Sequence, residues 1–211
     1  MTPGCFIVLE GPEGAGKSTL ARALAGRMTA AGIEPICTRE PGGTPVAEAL
    51  RSELLNADRS WTPDAELLYM VTARADLVAR VIGPALDAGN VVLSDRYALS
   101  TQAYQVAGRG VDQAFADRLL AVATLGLVPS ITLVLDLAPE EGIARQEAAG
   151  KRQDRLDRES LDFHRRVAAR YLAEHGPGVH HLNGRLTPEA LADVAWTILA
   201  RARPDLFHFG V

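Results

Sequence analysis

The feature that most constrains this sequence is a glycine-rich loop between a predicted strand and a predicted helix. Residues 10–19 read EGPEGAGKST. The pattern G-x-x-x-x-G-K-[ST] is filled by Gly11, Gly16, Lys17 and Ser18. A continuous apolar run at residues 5–9 precedes the loop, as is typical of a strand buried on both faces, and apolar residues at helical spacing follow it over residues 20–28. This is the context that a phosphate-binding loop (P-loop) requires.

The P-loop is chemically suited to phosphate groups. Its glycines allow backbone N–H groups to turn inward around an anion, and the N-terminus of the following helix adds favourable partial charge. Lys17 would reach the outer phosphates of a nucleotide, and the Ser18 hydroxyl would bind Mg²⁺. The alternative, a glycine-rich turn that fits by chance, is disfavoured by the flanking strand and helix. The pattern alone names no reaction, because ATPases, GTPase switches and small-molecule kinases share it.

Length and composition favour a single globular domain over residues 1–211. Hydrophobic residues make up 47% of the chain and the mean hydropathy is +0.03. The net charge of -4 argues against a sequence-independent nucleic-acid binder, which would usually be basic. There is no apolar run of membrane-spanning length and no secretory leader pattern, so we expect a cytoplasmic protein with no membrane partner. Cys5 and Cys37 both fall on predicted core strands and are expected to be small buried hydrophobes.

Short apolar runs alternate with helical patterns along the chain. The predicted strands are residues 6–9, 35–38, 91–94, 131–135 and 179–182. The predicted helices are residues 17–31, 45–56, 64–88, 112–126, 139–149, 158–175 and 187–202. Such alternation predicts a parallel sheet covered by helices on both faces, with ligands at the carboxyl ends of the strands.

Charged side chains follow the second and third predicted strands. Arg39 lies in the stretch TREPGGT at residues 38–44, at an edge where an anionic ligand would sit, although a solvated arginine would look the same. Asp95 ends the third strand and could hold Mg²⁺ as the second acidic element of a phosphoryl-transfer site. Arg96, next to it, suits a phosphate, and the alternative is an Asp-Arg surface pair.

Hydrogen-bonding side chains are concentrated directly after Arg96. They are Ser100, Thr101, Gln102, Tyr104 and Gln105. Recognition of a heterocycle requires hydrogen-bonding side chains of this kind. Met70 and Arg74 lie at i and i+4 on one face of the predicted helix 64–88, where an apolar wall and a donor could hold a base. Taken singly, Met70 is more typical of a core residue and Arg74 of a surface residue.

The stretch 145–158 is dense in charge. Its basic residues are Arg145, Lys151, Arg152, Arg155 and Arg158. A solvated helix face is the ordinary interpretation of such a stretch, but a mobile lid that brings cations to a transferring phosphoryl group would look the same. The variable positions of the P-loop supply no arginine, so an arginine for phosphoryl transfer would have to come from elsewhere, and this stretch is the best source.

Taken together, these motifs resemble the thymidylate kinase family in its bacterial form. The resemblance rests on EGPEGAGKST, TREPGGT, the helix with Arg74, DRYALSTQAYQ at residues 95–105, GRG at 108–110 and DRLD at 154–157, in family order over nearly the whole chain. It implies a P-loop kinase with a central parallel five-stranded sheet flanked by helices and a short lid at about residues 142–158. It also implies transfer of the ATP γ-phosphoryl group to dTMP with Mg²⁺, giving dTDP and ADP for dTTP synthesis, and a homodimer.

The resemblance also implies roles for individual residues. Nucleotide-binding roles fall on Gly11, Glu13, Gly14, Ala15, Gly16, Lys17, Ser18, Thr19 and Arg145. Ser18 and Asp95 would serve the metal, Arg39 and Arg96 the acceptor phosphate, and Glu13 the sugar 3′-hydroxyl region. Arg74 and Thr101, with Met70, Ser100 and Gln105 nearby, would read the base, and Tyr104 would favour deoxyribose. Lys17, Asp95 and Arg155 would be catalytic, with Arg155 as the lid arginine and Arg145, Lys151 and Arg152 as substitutes.

Two departures and three rival functions bear on this interpretation. The family usually has an aromatic residue at the position of Met70, so tolerance of dUMP or a modified uracil nucleotide is a prediction, and a kinase for such a nucleotide is the alternative function. The lid stretch is also slightly longer than usual. A GTPase switch would need Asp-x-x-Gly and Asn-Lys-x-Asp elements, which the sequence lacks. An inactive dimeric binding module is disfavoured by the intact Lys17, Ser18 and Asp95.

Overall fold

The computed structural model describes residues 4–208 and has one parallel sheet. Its five strands are β1 Cys5–Glu10, β2 Ile36–Arg39, β3 Val91–Asp95, β4 Ile131–Asp136 and β5 Val179–Asn183, in the order β2-β3-β1-β4-β5. The predicted α/β class and five-stranded parallel sheet are thereby confirmed. β1 pairs with β3 so that Leu9 lies opposite Asp95, which puts the P-loop and Asp95 at the same sheet edge.

Helices cover both faces of the sheet. Their bounds are α1 Lys17–Ala30, α2 Pro45–Leu55, α3 Pro63–Leu77, α4 Gly83–Asp87, α5 Ala98–Thr101, α6 Gln113–Thr124, α7 Pro139–Ala148, α8 Leu161–Leu172 and α9 Pro188–Ala202. Several begin at an N-cap that the sequence encodes. Thr44 and Thr187 each accept a hydrogen bond from the backbone N–H three residues on, and each precedes a proline at the first helical position.

The long predicted helix at residues 64–88 is interrupted. α3 ends at Leu77, a π-helical segment spans Val78–Ile82, and α4 completes the path to Asp87. The reason lies in Pro84, which has no N–H to donate and whose ring disfavours regular α-helix before it. The N–H of Gly83 bonds to the carbonyl of Val78, which is the wider π spacing. A second π-helical segment, Gln102–Gly108, follows α5 directly.

The core lies on both sides of the sheet. On one side Leu24 and Met28 of α1 pack with Trp196 of α9 against β1, and Phe207 contacts Trp196 with ring centroids 5.6 Å apart. On the other side Phe6 of β1 packs with Tyr97. Because both faces are covered, β1 is buried along its whole length, which explains its continuous apolar run.

The prediction of two buried cysteines is half wrong. Cys5 in the central strand β1 is fully buried, whereas Cys37 is exposed. The reason is position in the sheet: β2 is an edge strand, and its residues alternate between partly buried and exposed. Between residues 4 and 208, no helix is long and apolar enough to cross a membrane.

Candidate active site

One cleft of about 450 Å³ lies at the carboxyl edge of the sheet. It is bounded by the P-loop, by the segments that follow β2 and β3, by α3 and by the stretch around α7. The side chains that line it include Glu13, Lys17, Ser18, Arg39, Glu40, Arg51, Leu55, Met70, Asp95, Arg96, Ser100, Tyr104, Arg145, Lys151 and Asp154. The cleft therefore lies at the edge of the sheet where the strand-end rule predicts a ligand site.

Lys17 is held inside the P-loop by loop carbonyls. Its Nζ donates to the carbonyl oxygen of Gly11 at 2.9 Å and to that of Pro12 at 2.7 Å. Burial and the nearby Arg96 lower the pKa of Lys17 to about 8, although Glu13 and Asp95 act in the opposite direction. The ammonium thus lies in a site that favours added negative charge, as a phosphate would supply.

Ser18 and Asp95 meet at the mouth of the P-loop. The Ser18 Oγ donates to Asp95 Oδ2 at 2.7 Å. A hydroxyl and a single carboxylate are hard oxygen donors of the kind Mg²⁺ takes when phosphates and waters complete its coordination. Among residues 4–208 no group of three or more His, Cys, Asp or Glu could hold a metal by itself. The donor set therefore fits Mg²⁺ shared with a nucleotide rather than a metal held by protein ligands alone.

Arg96 is held in a conformation that few non-glycine residues adopt. Its φ of 79° lies in the left-handed region, which costs on the order of 1–2 kcal/mol. Two hydrogen bonds hold the backbone in this conformation: the N–H of Arg96 donates to the carbonyl of Leu9 at 2.9 Å, and the N–H of Tyr97 donates to the Glu10 carboxylate at 2.8 Å. The consequence is that the guanidinium turns back over the P-loop and contacts Glu13, along with Tyr104 at 3.0 Å.

Glu13 is the acidic partner in this cluster. Burial raises the pKa of the Glu13 carboxyl, but the charges of Arg96, Lys17 and Lys151 outweigh burial and hold the pKa well below its usual range. Tyr104 also donates to the carboxylate at 3.1 Å. Glu13 is therefore ionised at neutral pH and orients Arg96 and Tyr104 at the centre of the cleft.

Three residues of this region were missed by the sequence analysis. Glu10 is fully buried and accepts from the Ser100 hydroxyl at 2.6 Å and the Tyr171 hydroxyl at 3.2 Å. Burial raises the pKa of the Glu10 carboxyl, although the positive charge of Arg96 acts in the opposite direction. A charged residue at the end of an otherwise apolar strand was the available signal for Glu10. Tyr171 on α8 and Arg51 on α2 carried no such signal, because each looks like an ordinary helix residue.

Arg74 lies behind the wall of the cleft rather than on its surface. Its guanidinium donates to Glu40 at 2.7 Å, to the Thr101 hydroxyl at 2.8 Å and to the Tyr97 carbonyl at 2.9 Å. Both members of the Arg74–Glu40 ion pair are almost completely buried. Met70, one turn before Arg74, does reach the cleft. The prediction that both residues face the cleft is therefore half wrong: Met70 lines it, whereas the Arg74 guanidinium is enclosed by Glu40, Thr101 and the Tyr97 carbonyl.

Comparison with known proteins identifies the family of this fold and site. The family model for thymidylate kinase matches residues 9–193. The chain is 46% identical to the thymidylate kinase of Thermomicrobium roseum over 90% of this chain and 92% of that protein. It is 51% identical to the thymidylate kinase of Caulobacter vibrioides over 82% and 83% of the two chains. It also resembles the crystal structure of thymidylate kinase from Ehrlichia chaffeensis, with a TM-score of 0.76 and 25% identity, covering 93% of this chain and 99% of that one.

The chain belongs to the thymidylate kinase family. The match to the family model and to these relatives confirms an ATP-dependent nucleoside monophosphate kinase of the thymidylate kinase type. It supports that function over a kinase for another pyrimidine deoxynucleotide. It also disfavours the GTPase switch and the inactive binding module.

Most of the residues that the thymidylate kinase resemblance singled out come together. Those that line the cleft are Glu13, Gly14, Gly16, Lys17, Ser18, Thr19, Arg39, Met70, Asp95, Arg96, Ser100, Tyr104 and Arg145. Gly11 and Ala15 lie within the P-loop, and Thr101 lies beside Arg74 behind the wall. Arg39 reaches the cleft from the edge strand, with Glu48 3.0 Å from its guanidinium.

The prediction that Gln105 contacts the substrate is wrong for this structure. Gln105 is fully buried, and its Nε2 donates to Glu66 Oε1 at 2.8 Å. The reason is that the π-helical segment Gln102–Gly108 packs one face on α3, which carries Glu66. Gln105 lies on that face, whereas Tyr104 points to the cleft.

The placement of Arg155 in the cleft is also wrong. Its Nε donates to the carbonyl oxygen of Leu54 at 2.8 Å, and its Nη2 lies 2.7 Å from Glu66 Oε2. Only 11% of the Arg155 side chain and 1% of the Glu66 side chain are exposed. Breaking a buried pair of this kind costs about 3–5 kcal/mol when one partner is lost, so Arg155 acts here as an anchor of the lid stretch on α2 and α3.

A close glycine contact joins the lid helix to the P-loop. A Cβ added to Gly142 of α7 would lie 2.2 Å from the carbonyl oxygen of Glu13, and one added to Gly14 would lie 2.2 Å from the carbonyl oxygen of Gly142. Only glycine permits this approach. Gly142 carries no signal in the sequence, because a glycine within a helical pattern has no distinctive spacing.

Proposed function

We propose that the cleft binds ATP at its P-loop end and dTMP at the end formed by Arg39, Arg96 and the α3 wall. The γ-phosphoryl group of ATP would then pass to the dTMP phosphate and yield dTDP and ADP. The observation that carries this proposal is the continuity of the cleft: a P-loop with Lys17 and a pair of arginines line the same space. Two anionic groups held side by side are what phosphoryl transfer between nucleotides requires.

At the donor end the P-loop amides, Lys17 and Arg145 would hold the ATP. Ser18 and Asp95 would hold Mg²⁺, which when bound supplies positive charge to the phosphates. Lys17 is preset for this contact, because its two carbonyl partners lie within the loop that would surround the phosphate. Its side chain need only exchange these carbonyls for phosphate oxygens.

At the acceptor end Arg96 and Arg39 would bind the dTMP phosphate. Arg96 is fixed by its contacts with Glu13, Tyr104 and the Tyr171 hydroxyl at 2.9 Å, so it would lose little freedom on binding. The Glu13–Tyr104 pair lies beside Arg96, where the deoxyribose would lie when Arg96 holds the dTMP phosphate. The Tyr104 ring would limit space for a 2′-hydroxyl, and Glu13 would accept a hydrogen bond from the 3′-hydroxyl.

The base would lie against Met70, with the Arg74–Glu40–Thr101 cluster behind it. Methionine offers a flexible apolar surface and no ring face for stacking. We propose on this basis that the site accepts dTMP with a weaker penalty for dUMP than an aromatic wall would impose. No general base is assigned, because phosphoryl transfer depends mainly on positioning and charge stabilisation.

Assembly, location and the lid belong to the same proposal. We propose one kinase domain over residues 1–211 with a lid at about residues 142–158, supported by the turn at Gly150 (φ 62°) after α7.

A homodimer is supported by apolar side chains left exposed on packed helices, Val46 on α2, Leu68 on α3 and Val122 on α6. Sedimentation of Leu68→Lys would test it. A cytoplasmic location is supported by the two free thiols.

The test is a coupled assay of ADP release with ATP and Mg²⁺, comparing dTMP, dUMP, UMP, dCMP and dGMP at matched concentrations. We expect dTMP to have the highest kcat/KM, with dUMP second. Lys17→Ala is the negative control and should abolish turnover of every acceptor. Greater turnover of dCMP or dGMP than of dTMP would refute the proposed acceptor.

A further inference from the structure

The chain contains two lysines, Lys17 and Lys151, among many arginines. Both lysines line the active-site cleft. Lys17 is accounted for by the P-loop. Lys151 lies just beyond α7, in the stretch that would cover the phosphates, where the family resemblance makes it only a substitute for the lid arginine Arg155.

The arginines of the same stretch are engaged elsewhere. Arg155 is bound to Glu66 and to the Leu54 carbonyl. Arg152 and Arg158 line a separate groove with residues 55–58. Arg145 lines the cleft but donates to the Gly184 carbonyl at 2.8 Å, on the β5 side. Within the described part of 145–158, Lys151 is therefore the cation that lies nearest the P-loop acid Glu13.

Lys151 is aimed at the centre of the cleft by Asp157. Its Nζ lies 3.1 Å from Asp157 Oδ2 and 3.9 Å from Glu13 Oε2. Asp157 is itself fixed, since it accepts from the Gln146 amide and from the Asp154 backbone N–H, each at 3.0 Å. The Lys151 side chain remains 44% exposed, so it is oriented by Asp157 without being enclosed.

We propose that Lys151 is the lid cation that contacts the transferring phosphoryl group, that Asp157 positions it, and that Arg155 anchors the lid instead. This inference rests on the proposed function. In the step itself the bond between the γ-phosphorus and the bridging oxygen of ADP breaks, and a bond to a dTMP phosphate oxygen forms. Lys151 stays protonated throughout and transfers no proton. A compact ammonium with three donors can keep one contact to Asp157 while it donates to a phosphoryl oxygen.

The test measures kcat and both KM values for Lys151→Ala, Lys151→Arg, Asp157→Asn and Arg155→Ala. Arg158→Ala is the matched control, a neighbouring exposed cation that lines the other groove. We expect Lys151→Ala to lower kcat by roughly 10²-fold or more, as loss of a charge-stabilising group does, with KM for dTMP changed less than about threefold. Lys151→Arg should recover most of kcat, and Arg158→Ala should stay within about twofold of the unaltered chain. Asp157→Asn should lower kcat less, and should add nothing to Lys151→Ala.

A second readout is independent of turnover. An amine-directed acylating reagent, with peptide mass spectrometry, should label Lys151 in the free protein, and ADP with dTMP should protect it. Thermal melts would show whether each variant is folded. The inference is overturned if Lys151→Ala keeps more than about a third of kcat, or if Arg155→Ala lowers kcat while Lys151→Ala does not. Failure of the unaltered chain to phosphorylate dTMP would instead refute the proposed function, and the labelling result would still locate Lys151.

Discussion

Replacing Arg74 with alanine tests how the wall of the cleft behind Met70 is held together. Arg74 and Glu40 form an ion pair in which the side chains are 2% and 4% exposed. The same guanidinium also donates to Thr101 and to the Tyr97 carbonyl. Arg74→Ala would leave the Glu40 carboxylate buried without its cation and would remove a donor from each of the other two groups.

The expected loss of stability is large. Removing one partner of a buried ion pair costs about 3–5 kcal/mol, because the remaining charge is neither solvated nor paired. For a chain of this size, a change of 1 kcal/mol moves Tm by roughly 2–4 °C, so Tm should fall by roughly 6–20 °C. Glu40→Gln added to Arg74→Ala should recover part of the loss, because no charge then remains buried.

The pH dependence of this loss follows from Glu40. Burial raises the pKa of the Glu40 carboxyl even with Arg74 present, and removing the cation would raise it further. A carboxyl whose pKa is higher in the folded state than in the unfolded state destabilises the fold progressively as the pH rises from the unfolded pKa to the folded pKa; the penalty is complete above the folded pKa and disappears below the unfolded pKa. The Arg74→Ala loss should therefore be greater at pH 8 than at pH 5.

Urea denaturation at both pH values would measure these effects. Arg80→Ala, which removes an exposed i,i+4 partner of Asp76 from the segment directly after α3, is the matched control and should leave the midpoint nearly unchanged. A loss below about 1 kcal/mol for Arg74→Ala at pH 8, or a loss equal at the two pH values, would refute the reasoning about a buried charge.

Two further predictions concern the P-loop. The Lys17 pKa is about 8 in the free protein, so kcat/KM for ATP should fall as the pH rises through about 8 and the ammonium loses its proton. Below pH 7 the titration of Lys17 should change kcat/KM little. A profile that stays flat to pH 9.5 would contradict this. Gly142→Ala should raise KM for ATP or lower kcat by about tenfold, since its Cβ would lie 2.2 Å from the Glu13 carbonyl oxygen. Gly26→Ala, whose Cβ would meet no heavy atom within 4 Å, should leave kinetics unchanged and add about 0.5–1 kcal/mol of stability, and equal kinetic effects of the two changes would argue against the glycine contact.

Local patterns in the sequence were sufficient to predict the fold and the position of the P-loop beside Asp95 at the carboxyl edge of the sheet. The apolar run of β1, the spacing of Gly11, Gly16 and Lys17, and the Thr-Pro helix starts are encoded within a few neighbouring residues. The strand-end rule then brought Asp95 and Arg96 to the P-loop without any knowledge of contacts. These predictions held because backbone preferences and the covering of both sheet faces depend on short segments.

Side-chain partners over long distances could not be predicted in the same way. Gln105 and Arg155 have sequence neighbours that suit substrate contact, yet both bind the buried Glu66, which lies 39 and 89 residues away along the chain. Cys37 is exposed because β2 lies at the edge of the sheet, and the order of strands in a sheet cannot be predicted from the sequence of any one strand.

The sequence by itself therefore determined the class of fold, the position of the P-loop and which residues are candidates for the cleft. The tertiary structure decided which candidate faces the cleft and which is enclosed by a partner: Lys151 turns toward Glu13, while Arg155 is held by Glu66. The physical reason is that a charged side chain adopts the conformation that pairs it best with an opposite charge, and the positions of the opposite charges are set only when distant segments pack together.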